Sequence, residues 1–445
     1  MVESWRKSGV AWSVRRWVVA GAVALSCFPA AARAASEVDA LLDTLVEKGI
    51  LTNLEAGDIR REVAGTKEER NKQLAKEIVP ESARNWKWSG DVRLRNESRN
   101  RTGSGTDVNR QRIRFRYGFD AAVNDRLKVG ARLATGSTTD PISTNQSFNN
   151  AFNHKNFLLD RAFVEYTPEI PGITKTKVAG GIIENPFWVA GPLVWDDDLN
   201  FDGGAVRFEK QVGLATLCTS DGVFSLQTDT NENAALWSTQ WGASVVPFPS
   251  SEDELLKNFK VTGAVAYHDY QNVTNPFSEN AAFALAGGAA AGTTISAPAA
   301  GNLKGNTAGV ADFNLLNPSL EIGSQYQDVP FSLFGDLVHN TSLASSNNTG
   351  FMIGLKLGKV RIPFDRLRGW EAGYFFERLE PDATFGPFTD SDFGNGGTNH
   401  RGHAWWVKLA MLKNSSLQLK YMNAQALKGS KNHADTFQAD WVTKF

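Results

Sequence analysis

Residues 436–445 read TFQADWVTKF, and they show most directly how this chain folds. Side chains alternate along this stretch: one parity is mostly apolar and carries three aromatic rings, whereas the other is mostly polar. A period of two residues predicts a β-strand with two different faces. An apolar, aromatic face is typical of strands that contact lipid in transmembrane β-barrels. Half-buried strands of soluble sandwiches alternate too, so the interpretation depends on whether the pattern recurs along the chain.

The N-terminus carries a predicted secretory signal peptide, residues 1–34. Four basic residues precede an apolar run from Trp17 to Ala31, and Ala32-Arg33-Ala34 offers a small-residue cleavage site. Two lesser interpretations are a twin-arginine signal at Arg15-Arg16 and a lipidation site at Ala24-Leu25-Ser26-Cys27. We exclude residues 1–34 from the fold analysis.

Charge and cysteine content narrow the class of protein. The 445 residues have 21% charged residues and a mean hydropathy of -0.30. Removing the predicted signal peptide, with its five basic residues and one acidic residue, leaves 42 basic and 47 acidic residues, a net charge of about -5. This near-neutral balance argues against a nucleic-acid partner. Cys218 is then the only cysteine, so an internal disulfide is excluded, as is a small disulfide-stapled fold.

Residues 35–84 have a helical pattern and differ from the rest of the chain. Apolar residues in 38–46 follow helical spacing, and Gly49 is a predicted C-terminal stop. Thr52 and Glu55 form a capping-box pattern that begins a second, highly charged helix. We expect a short periplasmic helical hairpin, with a coiled-coil adaptor as the alternative.

From Trp86 onward the apolar period changes from 3.6 to 2, which predicts an all-β domain at 85–445. Sixteen strands are predicted, most of them close to the length that a tilted strand needs to cross a bilayer. They lie near residues 86–98, 110–123, 126–136, 158–168, 175–183, 203–211, 212–219, 235–247, 258–269, 318–327, 331–340, 350–358, 368–379, 400–411, 415–422 and 436–445.

The predicted connections are sorted by length, with long and short ones tending to alternate. The long connections are 99–109, 137–157, 184–202, 220–234, 270–317, 341–349, 380–399 and 423–435. An even strand number, short periplasmic turns and long external loops are typical of outer-membrane barrels. We therefore expect a closed antiparallel transmembrane β-barrel of about sixteen strands. Closure is required because unpaired backbone groups are costly in lipid, and a barrel of this width encloses a water-filled lumen.

Aromatic residues are placed as the barrel requires. Trp86 and Trp88 begin the first strand, and Trp441 and Phe445 end the last. Because these strands pair in a closed barrel, the four rings are predicted to form an interfacial girdle on the periplasmic side.

Several stretches together resemble the proteobacterial putative porin family. They are WSGDVRLRNE at 88–97, RQRIRFRYG at 110–118, NPFWVAGPLVWDDDLNFDG at 185–203 and LVEKGILT at 45–52. The resemblance spans about residues 38–210 and the C-terminal strand, whereas the Ala/Gly-rich region 270–317 resembles nothing known to us. It implies an outer-membrane barrel for passive solute passage, assembled as a homotrimer.

The inward parity of the first three strands is strongly basic, and a nearby loop is acidic. The predicted basic wall consists of Arg93, Arg95, Arg112, Arg114, Arg116, Lys128 and Arg132. The predicted constriction acids are Asp196, Asp197, Asp198 and Asp202. If loop 184–202 folds into the lumen, acids face a basic wall, and such opposed charges select solutes by charge. Alternatively, the loop stays outside and the arginines are solvated lumen residues.

No catalytic residues, cofactor or strong metal site are predicted. Asp198, Asn200, Asp202, Gly203 and Glu209 match an EF-hand loop pattern, but residues 204–209 read as a strand. An extended run would separate Glu209 from Asp202 by roughly 20 Å, so only a weak calcium site at Asp198, Asn200 and Asp202 is considered. The six histidines are scattered, and no nucleophile elbow is present.

The predicted function is passive diffusion of small hydrophilic solutes or ions through the outer membrane of a Gram-negative bacterium. Expected partners are outer-membrane lipid, other copies of the chain and the barrel-assembly machinery, which would contact the strand ending in Phe445. One alternative is a barrel with a loop-borne binding, adhesin or enzymatic role. Another is a secreted soluble β-protein.

Overall fold

A computed structural model describes most of the β-rich part of the chain and little of the part before it. The described residues are 42, 44–49, 51–59, 62, 85–102, 107–138, 140–149, 151–227, 234–271, 273, 312–343, 346–360, 369–394, 396–429 and 432–445. The predicted signal peptide and nearly all of region 270–311 lie outside them. Two compact units are present, residues 1–84 and 85–445.

The described residues of the first unit include two short helical segments, 44–47 and 53–59. Gly49 has a φ of 69° and its N–H donates to the Val46 carbonyl at 3.0 Å, as a helix C-terminus requires. The Thr52 N–H donates to Glu55 Oε2 at 2.8 Å, and the Glu55 N–H donates to Thr52 Oγ1 at 3.3 Å. These two bonds form the predicted capping box. None of the helices in the described part of the chain has the length and apolarity that crossing a membrane requires.

The second unit is one antiparallel sheet closed into a ring. Its strands are β1 (Trp86–Thr102), β2 (Val108–Asn124), β3 (Leu127–Thr135), β4 (Gln146–Ser147), β5 (Phe157–Tyr166), β6 (Lys175–Glu184), β7 (Asn200–Val212), β8 (Ala215–Gln227), β9 (Ala234–Val245), β10 (Lys260–Gln271), β11 (Phe313–Tyr326), β12 (Val329–Asn340), β13 (Thr349–Gly358), β14 (Trp370–Leu379), β15 (His400–Leu412), β16 (Ser415–Ala426) and β17 (His433–Lys444). The two-residue β4 pairs only with β2, and β3 pairs directly with β5. Sixteen strands therefore form the ring.

The ring closes between β1 and β17. Their register runs from Asp91 opposite Lys444 to Thr102 opposite His433. Beyond it, Gly90 and Phe445 exchange two backbone hydrogen bonds of 2.9 and 3.0 Å. Each of the sixteen predicted strands has a counterpart, so the predicted closed antiparallel barrel is confirmed.

The connections agree with the predicted alternation at one end of the barrel more than at the other. At one end of the barrel, which we call the short-turn end, four connections are two-residue turns: 125–126, 213–214, 327–328 and 413–414. Gln327 and Asp328 have φ values of 47° and 64°, as a tight hairpin turn requires. Three loops predicted to be long are short, because their strands extend further: they are 103–107, 228–233 and 427–432.

The two faces of the wall differ as the alternation predicts. Large apolar side chains that point outward are exposed; Leu94, Leu159 and Trp241 are 48%, 55% and 67% accessible. Their neighbours of opposite parity point inward. The barrel therefore presents an apolar outer surface suited to lipid.

The lumen is not simply filled with water, contrary to the expectation from strand number. A cluster of buried apolar side chains lies inside the ring, contributed by strands between β6 and β16 and by several of the connections. Phe313 and Leu315 of β11 and Leu379 of β14 are fully buried in it. Packed side chains thus occupy part of the lumen and narrow the open space that remains.

Candidate functional site

Three long connections that the structure describes almost completely contribute side chains to the lumen. We call residues 136–156 loop A, residues 185–199 loop B and residues 380–399 loop C. Together they bring apolar side chains to one side of the barrel and carboxylates to the other. Their contacts with the wall define the remaining space.

Loop B crosses the lumen from β6 and is fixed to the far wall. The Trp188 N–H donates to Gln240 Oε1, and Gln240 Nε2 donates back to the Trp188 carbonyl, both at 2.8 Å. Lys356 Nζ donates to the Ala190 carbonyl at 3.4 Å. Through these contacts loop B folds inward.

Loop C folds inward as well, which the sequence did not indicate. The Phe385 ring stacks on Tyr270 of β10 at 5.0 Å and meets Phe313 edge-on at 5.6 Å. The two loops are joined: the Asp196 N–H donates to the Phe388 carbonyl at 2.8 Å, and the Ser391 N–H donates to Asp196 Oδ2 at 2.7 Å. Loops B and C thus form one inward structure.

Five arginines stand side by side on the opposite wall, and we call them the arginine ladder: Arg93, Arg95, Arg112, Arg114 and Arg116. In the β1–β2 register Arg93 faces Arg114 and Arg95 faces Arg112. Like charges directly opposite each other destabilise a sheet, so counter-charges are needed.

Carboxylates of the wall supply part of that compensation. Asp91 accepts from Arg114 at 2.8 Å and from Arg116 at 2.6 Å. Asp440 of β17 accepts a two-pronged contact from Arg95, with distances of 2.7 and 2.8 Å. Near the other end of the ladder, the fully buried Glu97 pairs with Arg110 at 2.7 Å and lies 3.8 Å from Arg112.

The loops supply the rest of the compensation. Asp198 of loop B lies 3.4 Å from Arg114 and 3.5 Å from Arg116, and accepts from the Thr144 hydroxyl of loop A at 2.9 Å. Asp392 of loop C accepts two bonds from Arg95 Nη1, at 2.9 and 2.7 Å. The ladder therefore holds both inward loops through ion pairs.

The loop carboxylates differ in their affinity for protons. Burial alone would raise the pKa of Asp198, but Arg114, Arg93 and Arg116 outweigh it and hold that pKa below the usual value. Burial likewise opposes ionisation of Asp392, yet Arg95, Lys420 and Arg93 hold its pKa well below the usual value. Burial and the charges of Asp390 and Asp198 raise the pKa of Asp196 well above the usual value, and burial and Asp390 raise the pKa of Asp197.

These groups surround a cavity of about 360 Å³, which we call the ladder cavity. Its charged lining is Arg93, Arg95, Arg114, Arg116, Asp196, Asp197, Asp198, Asp390, Asp392, Lys408, Lys420, Asp440 and Lys444. Basic and acidic side chains thus face one another across a small space, the arrangement that can discriminate solutes by charge.

The remaining members of the predicted basic wall lie elsewhere. Lys128 lines a second cavity of about 370 Å³, where it pairs with Glu165 at 3.4 Å and lies over the Phe163 ring. Arg132 forms an ion pair with Asp160. The predicted single basic wall is therefore divided between different parts of the lumen.

Asp202 does not join the other predicted constriction acids. In β7 the buried Phe201 points into the lumen, so Asp202 has the opposite parity and is exposed. The expectation placed it with loop B, but the strand begins at Asn200, two residues earlier.

The weak calcium candidate is not assembled. The Asn200 side chain donates to Asp160 Oδ1 at 3.1 Å, and Glu209 lies further along the same extended strand, bonded to Arg207 at 2.9 Å. Within the described ranges, no group of three or more His, Cys, Asp or Glu side chains is arranged to hold a metal ion.

Three of the four residues of the predicted aromatic girdle lie in one cluster of rings. Trp86 stacks on Phe119 at 4.3 Å, Trp88 stacks on Tyr117 at 5.3 Å, and Phe445 lies 6.2 Å from Tyr117. Trp441 faces outward opposite Leu94, four residues before Phe445 and therefore roughly 13 Å further along the strand.

Sequence reasoning missed several carboxylates of the site. Asp91, Glu97 and Asp440 share the inward parity of the ladder, so strand alternation alone could have identified them. Asp390 and Asp392 could not have been found this way, because nothing local in loop C indicates that it folds inward.

A closed ring of sixteen strands with an apolar outer face and a charged inner cavity defines a porin-type transmembrane β-barrel. A family model described as "Putative porin" matches residues 101–335 and 333–445, and the chain belongs to this family. A search of curated proteins finds no match.

Solved porin structures are similar to this chain at low identity. OmpF of Salmonella typhi, in complex with daunomycin, has a TM-score of 0.47 at 10% identity, covering 82% of this chain and 99% of that chain. OprB of Pseudomonas putida at high pH has 0.49 at 9%, covering 81% and 94%. OmpT of Vibrio cholerae, in a trimer form, has 0.41 at 10%, covering 81% and 99%. The barrel described above rests on this chain's own strand pairings.

Proposed function

We propose that this porin-type barrel lets small hydrophilic solutes or ions diffuse passively through a narrowed, charge-lined pore. The supporting observation is the attachment of loops B and C to the arginine ladder through Asp198 and Asp392. These ion pairs hold acidic loops opposite a basic wall, where fixed charges act on a solute with little intervening water. No chemical step is required.

The setting that we propose follows from the family and the wall. The exposed apolar face suits the lipid of a Gram-negative outer membrane, reached after export by the signal peptide 1–34. We propose a homotrimer of barrels and insertion by the barrel-assembly machinery through the strand that ends in Phe445. Residues 35–84 would form the periplasmic helical segment.

Charge selection is the testable core of this proposal. Replacing Arg112, Arg114 and Arg116 together by glutamine removes three positive charges from the wall. We expect the reversal potential in a KCl gradient across a planar bilayer to shift toward cations, because Asp91 and Asp198 then lack their counter-charges.

A matched control removes three basic residues near the short-turn end: Arg126 and Lys257, which lie in connections, and the exposed Lys210 near the end of β7 are replaced by glutamine. This control should leave the reversal potential unchanged. An equal shift in both variants, or no shift in the ladder variant, would contradict a pore lined by the ladder. A wild-type barrel that inserts but carries no current, and gives no liposome swelling with small sugars, would contradict the channel itself.

A further inference from the structure

Arg93 differs from the other four arginines of the ladder in its hydrogen-bond and ion-pair partners. The four other arginines each lie within 4.0 Å of a carboxylate, as described above. Among the residues that the structure describes, Arg93 has no such carboxylate. Its guanidinium donates through Nη2 to the Oδ1 of Asn145 at 2.6 Å, a neutral oxygen of loop A.

The strand register explains why this rung lacks a counter-charge. On one side Arg93 faces another arginine, Arg114, and on the other it faces Val442. Arg95, two residues on, faces Asp440 in the same register and pairs with it. A valine thus occupies the place that, one rung along, holds a carboxylate.

Arg93 also lines the ladder cavity. Seven basic and six acidic side chains border this cavity, so the lining carries one positive charge in excess when all are ionised. The other arginines of the lining are each bound to a carboxylate, so Arg93 is the arginine of the lining that has none within 4.0 Å among the described residues.

We infer that Arg93 is a binding point for the carboxylate group of small monoanionic solutes that cross the pore, an inference that rests on the proposed channel function. The Asn145 amide is planar and has nearly the shape of a carboxylate, so its oxygen occupies a position that a carboxylate oxygen can take. A guanidinium binds planar carboxylates through paired donors, and a charged acceptor strengthens each bond.

The surroundings favour a single negative charge and a small apolar body. Asp197, Asp390 and Asp392 border the same cavity and would repel a second negative charge. Pro192 and Val442 give the cavity apolar surface for a short hydrocarbon chain. Propionate is therefore a suitable probe, with propionamide as its neutral counterpart and inorganic phosphate as a more highly charged anion.

The test measures how each probe reduces the KCl current through the reconstituted full-length channel. Propionate should reduce the current in a saturable way, and propionamide should not. Arg93→Gln should raise the half-blocking concentration of propionate about tenfold or more, because it removes a charge-assisted hydrogen bond. Arg93→Lys should have a smaller effect, and Arg126→Gln in an exposed turn should have none.

Asn145 variants separate a binding site from a general effect of charge. Asn145→Asp places a permanent carboxylate beside Arg93 and should abolish block by propionate. Asn145→Ala removes the neutral competitor and should preserve or strengthen the block. These two variants test the inference even if Arg93→Gln inserts poorly.

Three results would overturn the inference: equal block of wild type and Arg93→Gln by propionate, unchanged block in Asn145→Asp, or stronger block by phosphate than by propionate. Each of them can occur in a barrel that conducts KCl normally, so they leave the channel function intact. Absence of any KCl current would instead contradict the proposed function.

Discussion

At the scale of single residues, four of the five arginines of the ladder lie within 4.0 Å of a carboxylate. Arg93 and Arg114 face each other across two strands, an arrangement that is unfavourable by itself. Asp91 lies directly opposite Arg116 and accepts bonds from both Arg114 and Arg116. It is only 6% exposed, so its charge cannot be replaced by solvent. The single carboxylate of Asp91 thus compensates the charges of two arginines.

Asp91→Asn should therefore destabilise the barrel substantially. Two guanidinium groups would lose their shared counter-charge, and breaking a buried ion pair costs about 3–5 kcal/mol. The measurement is the temperature at which the compact form on an unboiled gel converts to the unfolded form. Asp125→Asn, in an exposed two-residue turn, removes the same charge and should leave that temperature unchanged. Similar transition temperatures for both variants would show that Asp91 is dispensable.

The loop carboxylates predict a pH dependence of ion selectivity. The pKa of Asp196 is raised and that of Asp198 is lowered, so acidification neutralises Asp196 first. Between about pH 7 and about pH 4.5, above the usual aspartate pKa, the wild-type pore should lose negative charge and shift toward anions. Asp196→Asn should reduce this shift, whereas Asp198→Asn should retain it; the reversal potential reports both.

The same pKa shift of Asp196 has a consequence for stability. The pKa of Asp196 is higher in the folded state than in the unfolded state. At pH values between these two pKa values, Asp196 is therefore protonated in the folded state and ionised in the unfolded state. The contribution of Asp196 to stability is therefore fully present below the usual aspartate pKa and is lost as the pH rises through the raised one. The junction of loops B and C should weaken toward neutral pH.

At the scale of elements, one side chain of the wall holds the backbone of loop B at Trp188. Gln240 is 2% exposed, and its amide satisfies both the N–H and the carbonyl of Trp188. No other side chain that the structure describes bonds the Trp188 backbone. The position of loop B in the lumen therefore relies on a single two-way contact at this point.

Gln240→Leu should loosen loop B while nearly preserving side-chain volume. Two buried backbone groups would lose their partners, each at about 1–3 kcal/mol. We expect larger and noisier single-channel currents, because the loop then narrows the lumen less. Gln211→Leu is the matched control, because the Gln211 side-chain amide also donates to a backbone carbonyl but lies at the short-turn end. Single-channel currents of this variant should match those of the wild type. Unchanged currents in Gln240→Leu would show that other contacts suffice to hold the loop.

The elements also show what the sequence could and could not predict. The strands follow from the two-residue period, because each strand carries its own pattern of outward and inward residues; Phe351, Ile353 and Leu355 of β13 are all exposed, as predicted. The inward course of loops B and C depends on partners such as Gln240 and Tyr270, which lie far away in sequence. In β11 apolar residues lie on both faces, so alternation could not show that one face packs against loop C.

At the scale of the whole molecule, closure is the condition for everything else. In a closed ring, the backbone N–H and C=O groups of every strand have hydrogen-bond partners on a neighbouring strand, as the membrane requires. The pairing of β1 with β17, which we call the seam, closes the ring. The seam also helps to position the arginine ladder, because Arg95 of β1 forms an ion pair with Asp440 of β17. The pore lining is therefore assembled only when the first and last strands pair.

Gly90 makes the seam sensitive to a single methyl group. A Cβ at Gly90 would lie 2.6 Å from the Arg116 carbonyl oxygen and 2.6 Å from the Phe445 ring, and the backbone contact cannot relax without moving β1 from β2. Gly90→Ala should therefore cost about 1–3 kcal/mol, as overpacking does. Gly263 also faces outward, but its Cβ would meet Leu320 at 3.5 Å, an ordinary contact. Gly263→Ala should be neutral or slightly stabilising. Heat-modifiable migration of the two variants compares them directly, and equal transition temperatures would mean that the seam tolerates displacement of β1.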